Sequence, residues 1–391
     1  MAKIYSEPEK KLSVIGNFDV VVVGGGFAGV TAALAAARDG AGVCLVEKSC
    51  SMGGLGTLGL VVDYLPLCDG RGTQLIGGIG EELMLGVSKY DRTRPPECWQ
   101  NVGSESEKSE KRYMLTYNPA AMELYMEEAL LKENVTVVYD TLFCGVLTEE
   151  NRIGGIIVEN KSGRSVIEGK MFVDATGDAD VCVAAGEEYV ESDRNVCAWW
   201  FYTAEDGKNT LHRMSENFYQ IREGSRTYKV SDYKDVTALV IDSRNRIRDC
   251  LAKDASAQPL LISHIPQFRM TRRIVGRETV GEEDDGRWFE TCVGMSGDWR
   301  KRGPRFCVPF GAICPKNTVN LLTAGRCIST TDSGWDIMRV IPACAVTGEA
   351  AGSAAAMAAK GECDIGRLSV SALQQHLKER GVIIEKSYMS R

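Results

Sequence analysis

Between Asp19 and Glu47 the chain places a strand, a glycine turn, a helix and a second strand at a spacing that leaves few folds open. Asp19-Val20-Val21-Val22-Val23 is a β-branched apolar run without alternation, the pattern of a strand buried on both faces in a parallel sheet. Gly24-Gly25-Gly26-Phe27-Ala28-Gly29 ends it. Val30 to Arg38 reads as an alanine-rich helix closed by Asp39-Gly40, and Gly42 to Glu47 as a second buried strand. The segment predicts a βαβ unit of about thirty residues. Glycine triplets arise easily among 41 glycines, so Gly24-x-Gly26-x-x-Gly29 draws its weight from this context. Gly24 permits the tight turn, Gly26 lets the backbone approach a pyrophosphate, and Gly29 lets helix and strand pack closely. The helix start at Phe27 and Ala28 offers free N–H groups and a positive dipole end to phosphates. Glu47 ends the second strand about eighteen residues beyond Gly29, where a carboxylate accepts bonds from an adenosine ribose and disfavours a 2′-phosphate. Lys48 beside it is counted in the same contact set.

The rest of the chain departs from a simple NAD domain. Gly53 to Gly80 is rich in glycine, as in loops pressed against a ligand or another backbone. Asn118-Pro119 opens a helix running to Lys132. Short strands follow at Val135–Tyr139, Phe143–Thr148, Ile153–Glu159 and Ser165–Glu168, which reads as an antiparallel β-meander. Lys170 to Asp174 returns to the buried-strand pattern and enters Ala175-Thr176-Gly177-Asp178. From about Tyr189 the composition turns more aromatic and charged, a stretch expected to be an inserted domain, with Trp199 to Tyr202 as one of its core strands. Val319 to Gly325 reads as another buried strand, and Pro342 to Ala359 as a long small-residue helix. The expected fold is α/β: a Rossmann-like dinucleotide-binding domain with a parallel sheet and β-meander, built from residues 1–189 and 316–391, plus an inserted α+β substrate domain over 190–315.

Composition removes several function classes. A net charge of −7 over 391 residues argues against nucleic-acid and anionic-membrane partners. The N-terminal residues are charged rather than apolar, and the longest apolar stretches fall far short of a bilayer span, so a cytoplasmic location is expected. The 14 cysteines are scattered with no Cys-x-x-Cys pair, and the 3 histidines lie far apart, so no metal site or iron–sulfur cluster is expected.

Four blocks carry a resemblance that chooses the dinucleotide. They are Val22 to Gly29, Gly53-Gly54-Leu55-Gly56-Thr57, Asp174 to Asp180, and Asn320 to Ser329 continued by Arg339 to Gly352. In order and content the chain resembles the FAD-dependent oxidoreductases with the glutathione-reductase-type FAD fold. These are distant relatives of the fumarate reductase and succinate dehydrogenase flavoproteins and of the heterodisulfide reductase flavin subunit. The resemblance spans nearly the whole chain. It implies that Gly53, Gly54 and Thr57 follow the pyrophosphate and ribityl chain, that Thr176 and Gly177 belong to the cofactor site, and that Gly325 and Arg326 sit against the same region. Many relatives carry Gly-Asp where this chain has Gly325-Arg326, and an arginine suits phosphate better than ribityl hydroxyls. The helix beginning at Pro342 would aim the amides of Ala343, Cys344 and Ala345 at the N1/C2-carbonyl edge of the flavin, where a helix N-terminus stabilises the negative charge of the reduced ring. Relatives with covalent flavin use a histidine in the loop after the second strand. Ser49 to Thr57 has none, so the FAD is expected to be non-covalent.

None of these features reaches the substrate. Hydride chemistry at a flavin needs orienting charges and usually an acid or base. Arg339, just before the flavin-facing helix, is the favoured catalytic candidate. Arg272, from the group Arg269, Arg272, Arg273 and Arg277, competes with the alternative of an exposed basic helix paired with Glu278, Glu282 and Glu283. His264 is a candidate proton donor. The Asp332 to Asp336 loop is expected to lie by the ring, with Trp335 as a stacking surface. The expected function is hydride transfer between a small organic substrate and FAD, with a separate electron acceptor or donor as partner and a homo-oligomer left open. An electron-transfer subunit of a larger redox complex is the alternative, and a flavin monooxygenase is disfavoured because no second glycine loop for NAD(P)H is visible.

Overall fold

The valine run is the buried end of β1 (Ser13–Val23) in the computed structural model, which describes residues 3–100, 103–216, 224–254 and 256–389. Its alternate side chains enter different cores. Val20 and Val22 pack in a cluster with the alanines of α1 (Phe27–Arg38), whereas Val21 and Val23 join a second cluster on the opposite face. Both faces are therefore dry, which is why the run shows no polar alternation. β2 (Val43–Val46) lies parallel to β1 with Val20 opposite Val43, closing the βαβ unit.

Two expectations about the following strands need correction. β3 (Thr136–Val138), read as the first meander strand, instead pairs parallel to β2 at the sheet edge. The meander has three strands: β4 (Leu142–Glu149), β5 (Arg152–Asn160) and β6 (Gly163–Asp174). The runs read as separate strands at Ser165–Glu168 and Lys170–Asp174 are one continuous β6. It is parallel to β1 from Ser13/Ser165 to Val23/Asp174, and on its other edge pairs first with β5 and then with β7 (Leu321–Thr323). Gly169, which lies between the two runs, sits where an added Cβ would be 2.7 Å from Val21 Cγ2. A glycine inside a strand marks this kind of close approach. The sheet order is β3-β2-β1-β6-β5-β4, with β7 also on β6.

The helical layer beside β1 is α1, α2 (Pro119–Lys132, capped by Asn118) and the long buried helix that begins at Pro342. Beyond the meander, residues Phe201–Glu205, Lys208–His212 and Gln258–Ile262 form a three-stranded antiparallel sheet. α3 (Tyr233–Leu251) packs there around a small core of Cys197, Tyr228, Leu239 and Phe268. The hairpin of Cys292–Gly297 and Arg305–Pro309 is buried instead in the main core. The expected loop at 332–336 is α4 (Asp332–Met338), followed at once by α5 (Ile341–Lys360).

α5 crosses α1 at backbone contact. A Cβ on Gly348 would lie 2.2 Å from Ala28 O, and one on Gly352 would lie 2.1 Å from Ala32 O. Glycines four apart share one helix face, so this stripe lets the N-terminus of α5 stand beside that of α1. Among the described residues no single helix is long and apolar enough to cross a membrane.

Candidate cofactor and substrate site

β1, β6 and β7 are parallel neighbours, and the chain leaves each of their C-terminal ends into a turn: Gly24, Ala175-Thr176-Gly177 and Ala324-Gly325-Arg326. Ligands of open α/β sheets bind at such carboxyl ends. All three turns border one cavity of about 640 Å³. Each turn has a local cause. Asp174, wholly buried at the end of β6, accepts the Thr176 N–H at 3.1 Å and its hydroxyl at 2.7 Å through Oδ1, and the Cys182 N–H at 3.0 Å through Oδ2. Gly325 takes φ +83° and donates its N–H to Thr347 Oγ1 on α5, tying the third turn to the helix that faces it.

The three motif glycines have three different surroundings. Gly24 adopts φ +102°, and a Cβ there would be 2.5 Å from Ala175 O. A Cβ on Gly29 would meet Gly24 O at 1.8 Å, so this position serves helix–strand packing and stays off the cavity wall. A Cβ on Gly26 would meet nothing within 4 Å, and Gly26 lines the cavity. It is the open position of the loop. Gly26 caps α1 with no side-chain bond, so the first-turn amides around Phe27 and Ala28, residues that line the cavity, have no intrahelical acceptor.

Glu47 has a second duty that its spacing did not disclose. Its Oε2 accepts the Gly25 N–H at 2.7 Å, and its Oε1 accepts the Ser49 N–H and hydroxyl at 2.8 and 2.7 Å. The carboxylate thus fastens the phosphate loop to the end of β2, with lone pairs remaining for a ribose. Lys48 is exposed, and neither residue lines the cavity. Gly53 donates to Gly25 O at 2.7 Å and lines the cavity with Leu55 and Gly56. Gly54 and Thr57 lie behind this wall, where the buried Thr57 hydroxyl donates to Met52 O and holds the loop in shape.

Beside the start of α1, Val340 caps α5 without a side-chain bond, and Pro342 occupies the first turn. Cys344 lines the cavity, while Ala343 and Ala345 are buried just behind. Burial pushes the Cys344 thiol up to about 12 and its sulfur donates to Arg339 O at 3.3 Å, so it is a neutral wall group rather than a nucleophile.

Four arginines line this cavity: Arg213, Arg269, Arg326 and Arg339. Three have carboxylate partners. Arg213 binds Asp63 at 2.7 and 2.8 Å, Arg326 reaches Asp178 at 3.3 Å and Phe268 O at 2.9 Å, and Arg339 pairs with Asp336. Arg326 lies over Gly177, where a Cβ would be 2.6 Å from its Nη2. Arg269 is only 5% exposed and has no carboxylate within 4 Å among the described residues. Burial, then Arg339, then Arg326 depress its guanidinium to about 9.

The remaining substrate-side candidates fall elsewhere. His264 is exposed, donates its N–H to Leu58 O and is not on the cavity wall. Arg272 stands on a short strand, Arg272–Ile274, instead of the basic helix weighed for it, and pairs with Asp180 outside the cavity. Trp335 is buried inside α4 with its indole N–H donated to Arg326 O at 2.6 Å, so it supplies no stacking surface to the cavity. The indoles on the wall are Trp200 and Trp299. Trp200 immediately precedes the strand it was expected to belong to, and Trp299 follows the Cys292–Gly297 strand. No local spacing marks either as a site residue.

A glycine loop open at one position, two uncapped helix N-termini and the crevice of a parallel sheet define a dinucleotide-binding flavoprotein fold. The chain belongs to the FAD dependent oxidoreductase family, whose model matches residues 19–198 and 193–377. Its fold is similar to that of a geranylgeranyl bacteriochlorophyll reductase-like protein from Thermoplasma acidophilum. That match has a TM-score of 0.51 at 14% identity over 93% of this chain and 84% of the other. It is also similar to BexE, known from work on oxidation during BE-7585A biosynthesis, with a TM-score of 0.50 at 12% identity over 93% of this chain and 66% of the other. p-Nitrophenol 4-monooxygenase PnpA from Pseudomonas putida DLL-E4 aligns with a TM-score of 0.48 at 12% identity over 94% and 85%. At such identities the likeness is one of fold. The protein is a FAD-dependent oxidoreductase, and the open Gly26 and the uncapped starts of α1 and α5 fit that cofactor.

Proposed function

We propose that the protein moves a hydride between a small organic substrate and non-covalently bound FAD, with a separate molecule as electron acceptor or donor and the cytoplasm as its place of work. The observation that carries this reading is one continuous cavity lined by the phosphate loop together with apolar and cationic side chains. Bound FAD supplies the hydride acceptor or donor. Gly26, Phe27 and Ala28 hold its phosphates through backbone amides, and Glu47 holds the adenosine ribose while anchoring the loop. The α5 N-terminus stabilises negative charge on the flavin edge. Leu55, Val61 and Ile341 exclude water, which strengthens the charges that remain. Arg339, held by Asp336 and lying 5.9 Å from the Trp299 ring centroid, orients the substrate. Non-covalent attachment is supported by the absence of a histidine from Ser49–Thr57 and by the burial that raises the lining thiol of Cys344. The test is to release FAD from purified protein by denaturation, then to screen small organic molecules for anaerobic bleaching of the oxidised flavin. Bleaching by a small molecule alone supports the reading. Reduction only through a partner protein would replace it with the electron-transfer reading.

A further inference from the structure

Arg269 is the one cavity-lining arginine without a carboxylate partner among the described residues, and it is the most deeply buried of the four. The one hydrogen bond its guanidinium makes among the described residues runs from Nη1 to Gln267 O at 3.4 Å, a long contact to a neutral acceptor, while its backbone N–H donates to Asn195 Oδ1 at 3.2 Å. The guanidinium stands 5.7 Å from the Trp200 ring centroid, and both charged groups that perturb it, Arg339 and Arg326, are also cations. Burying an isolated cation is costly unless a counter-charge completes it. The fold supplies carboxylates to Arg213, Arg326 and Arg339 and withholds one here. A buried cation so placed, with Trp200, Leu65 and Val61 on the same cavity wall, suits an anion with an apolar body.

Building on the hydride-transfer reading, we infer that the substrate is a carboxylate with an apolar or aromatic body, and that Arg269 receives its carboxylate through the forked guanidinium while Trp200 packs against its body. A planar fork matches a carboxylate in two parallel hydrogen bonds, which a neutral amide of the same shape cannot satisfy. Arg269 is therefore a specificity-determining residue. The rival role for the same charge is neutralisation of the FAD diphosphate, and the two roles separate experimentally.

The probes are benzoate and its neutral isostere benzamide, titrated into FAD-loaded protein while the flavin difference spectrum and the heat of binding are followed. Benzoate is expected to bind about 10- to 100-fold more tightly than benzamide, the range of a hydrogen bond to a charged group. Arg269→Gln is expected to erase that preference while leaving the dissociation constant for FAD within about threefold of wild type, and Arg269→Lys is expected to restore part of it. Equal binding of the two probes by the wild type overturns the inference and leaves hydride transfer standing. A large loss of FAD affinity in Arg269→Gln, with the preference for benzoate retained, also overturns it and assigns the charge to the cofactor. If Arg269→Gln does not fold, the wild-type comparison and Arg269→Lys still decide. A wild type that takes up no FAD overturns the hydride-transfer reading itself.

Discussion

Replacing Arg269 by methionine should make the protein more stable while weakening its hold on a carboxylate. Depressing a guanidinium from its ordinary range to about 9 corresponds to about 5 kcal/mol of unfavourable burial, at about 1.4 kcal/mol for each tenfold in acidity. Relaxation and water penetration reduce such costs, leaving roughly 2–3 kcal/mol. The contact with Trp200, at 5.7 Å, returns about 1 kcal/mol. Arg269→Met should therefore gain roughly 1–2 kcal/mol and raise Tm by a few degrees. The pH sign follows from linkage. The folded value lies below the unfolded one, so the cost is fully present below about 9 and is relieved only as pH climbs above it towards the ordinary guanidinium range. The difference between variant and wild type should thus be flat from pH 6 to 8. Thermal unfolding is read on FAD-free protein, FAD-loaded protein and FAD-loaded protein with saturating benzoate. The variant should lead in the first two and lose its lead in the third. A variant less stable than wild type without ligand would refute the reasoning, because Arg269 would then have a counter-charge inside the folded chain.

Gly26 and Gly29 should respond oppositely to the same substitution. Gly26→Val should fold with wild-type stability, since its side chain enters open space, but should weaken FAD binding by about 100-fold or more in a flavin-fluorescence titration. Gly29→Ala, which drives a Cβ to 1.8 Å from Gly24 O, should instead lose folded protein, read by circular dichroism and yield. Glu349, 2% exposed on α5, has its carboxyl raised to about 8 by burial, against the Ile79 N–H it accepts at 2.8 Å. Because the folded value exceeds the unfolded one, its contribution is complete below about 4.5 and is lost as pH rises through 8. Glu349→Gln should therefore match wild type near pH 5 and exceed it by roughly 2–4 kcal/mol at pH 9 in chemical unfolding. Arg339→Gln should slow anaerobic flavin reduction about 10- to 100-fold with FAD affinity unchanged; a change confined to FAD affinity would place Arg339 on the cofactor.

The cofactor end of the site was legible because its determinants are local. Strand, glycine loop, helix and strand lie within thirty residues, and each step has its own periodicity or turn chemistry. Partner choice was less legible. Thr136–Val138 has the composition of a strand, but nothing in its residues tells β2 from β4 as its neighbour. Ser165–Glu168 and Lys170–Asp174 read as separate runs until the approach of Gly169 to Val21 is known. The substrate end was barely legible, because Trp200, Arg213, Arg269 and Trp299 come from four separate stretches and converge only in space. Arg269 stood in a basic cluster with Arg272 and Arg273, and only their partners in space separate them: Arg272 and Arg273 find Asp180 and Asp332, and Arg269 finds no acid among the described residues. Trp335 misled for the complementary reason, since the turn-like Asp-Ser-Gly stretch is the first turn of a helix capped by Thr331 that carries the indole inward.

The central claim is that the cavity joining Gly26 to Arg339 holds FAD and a reacting small molecule together. The most direct measurement is anaerobic: FAD-loaded protein is mixed with candidate apolar carboxylates in turn and the oxidised flavin absorbance is followed. One of them is expected to bleach the flavin without any partner protein, with about one FAD released per chain on denaturation. Protein that carries no FAD and cannot be reconstituted with it would contradict the account.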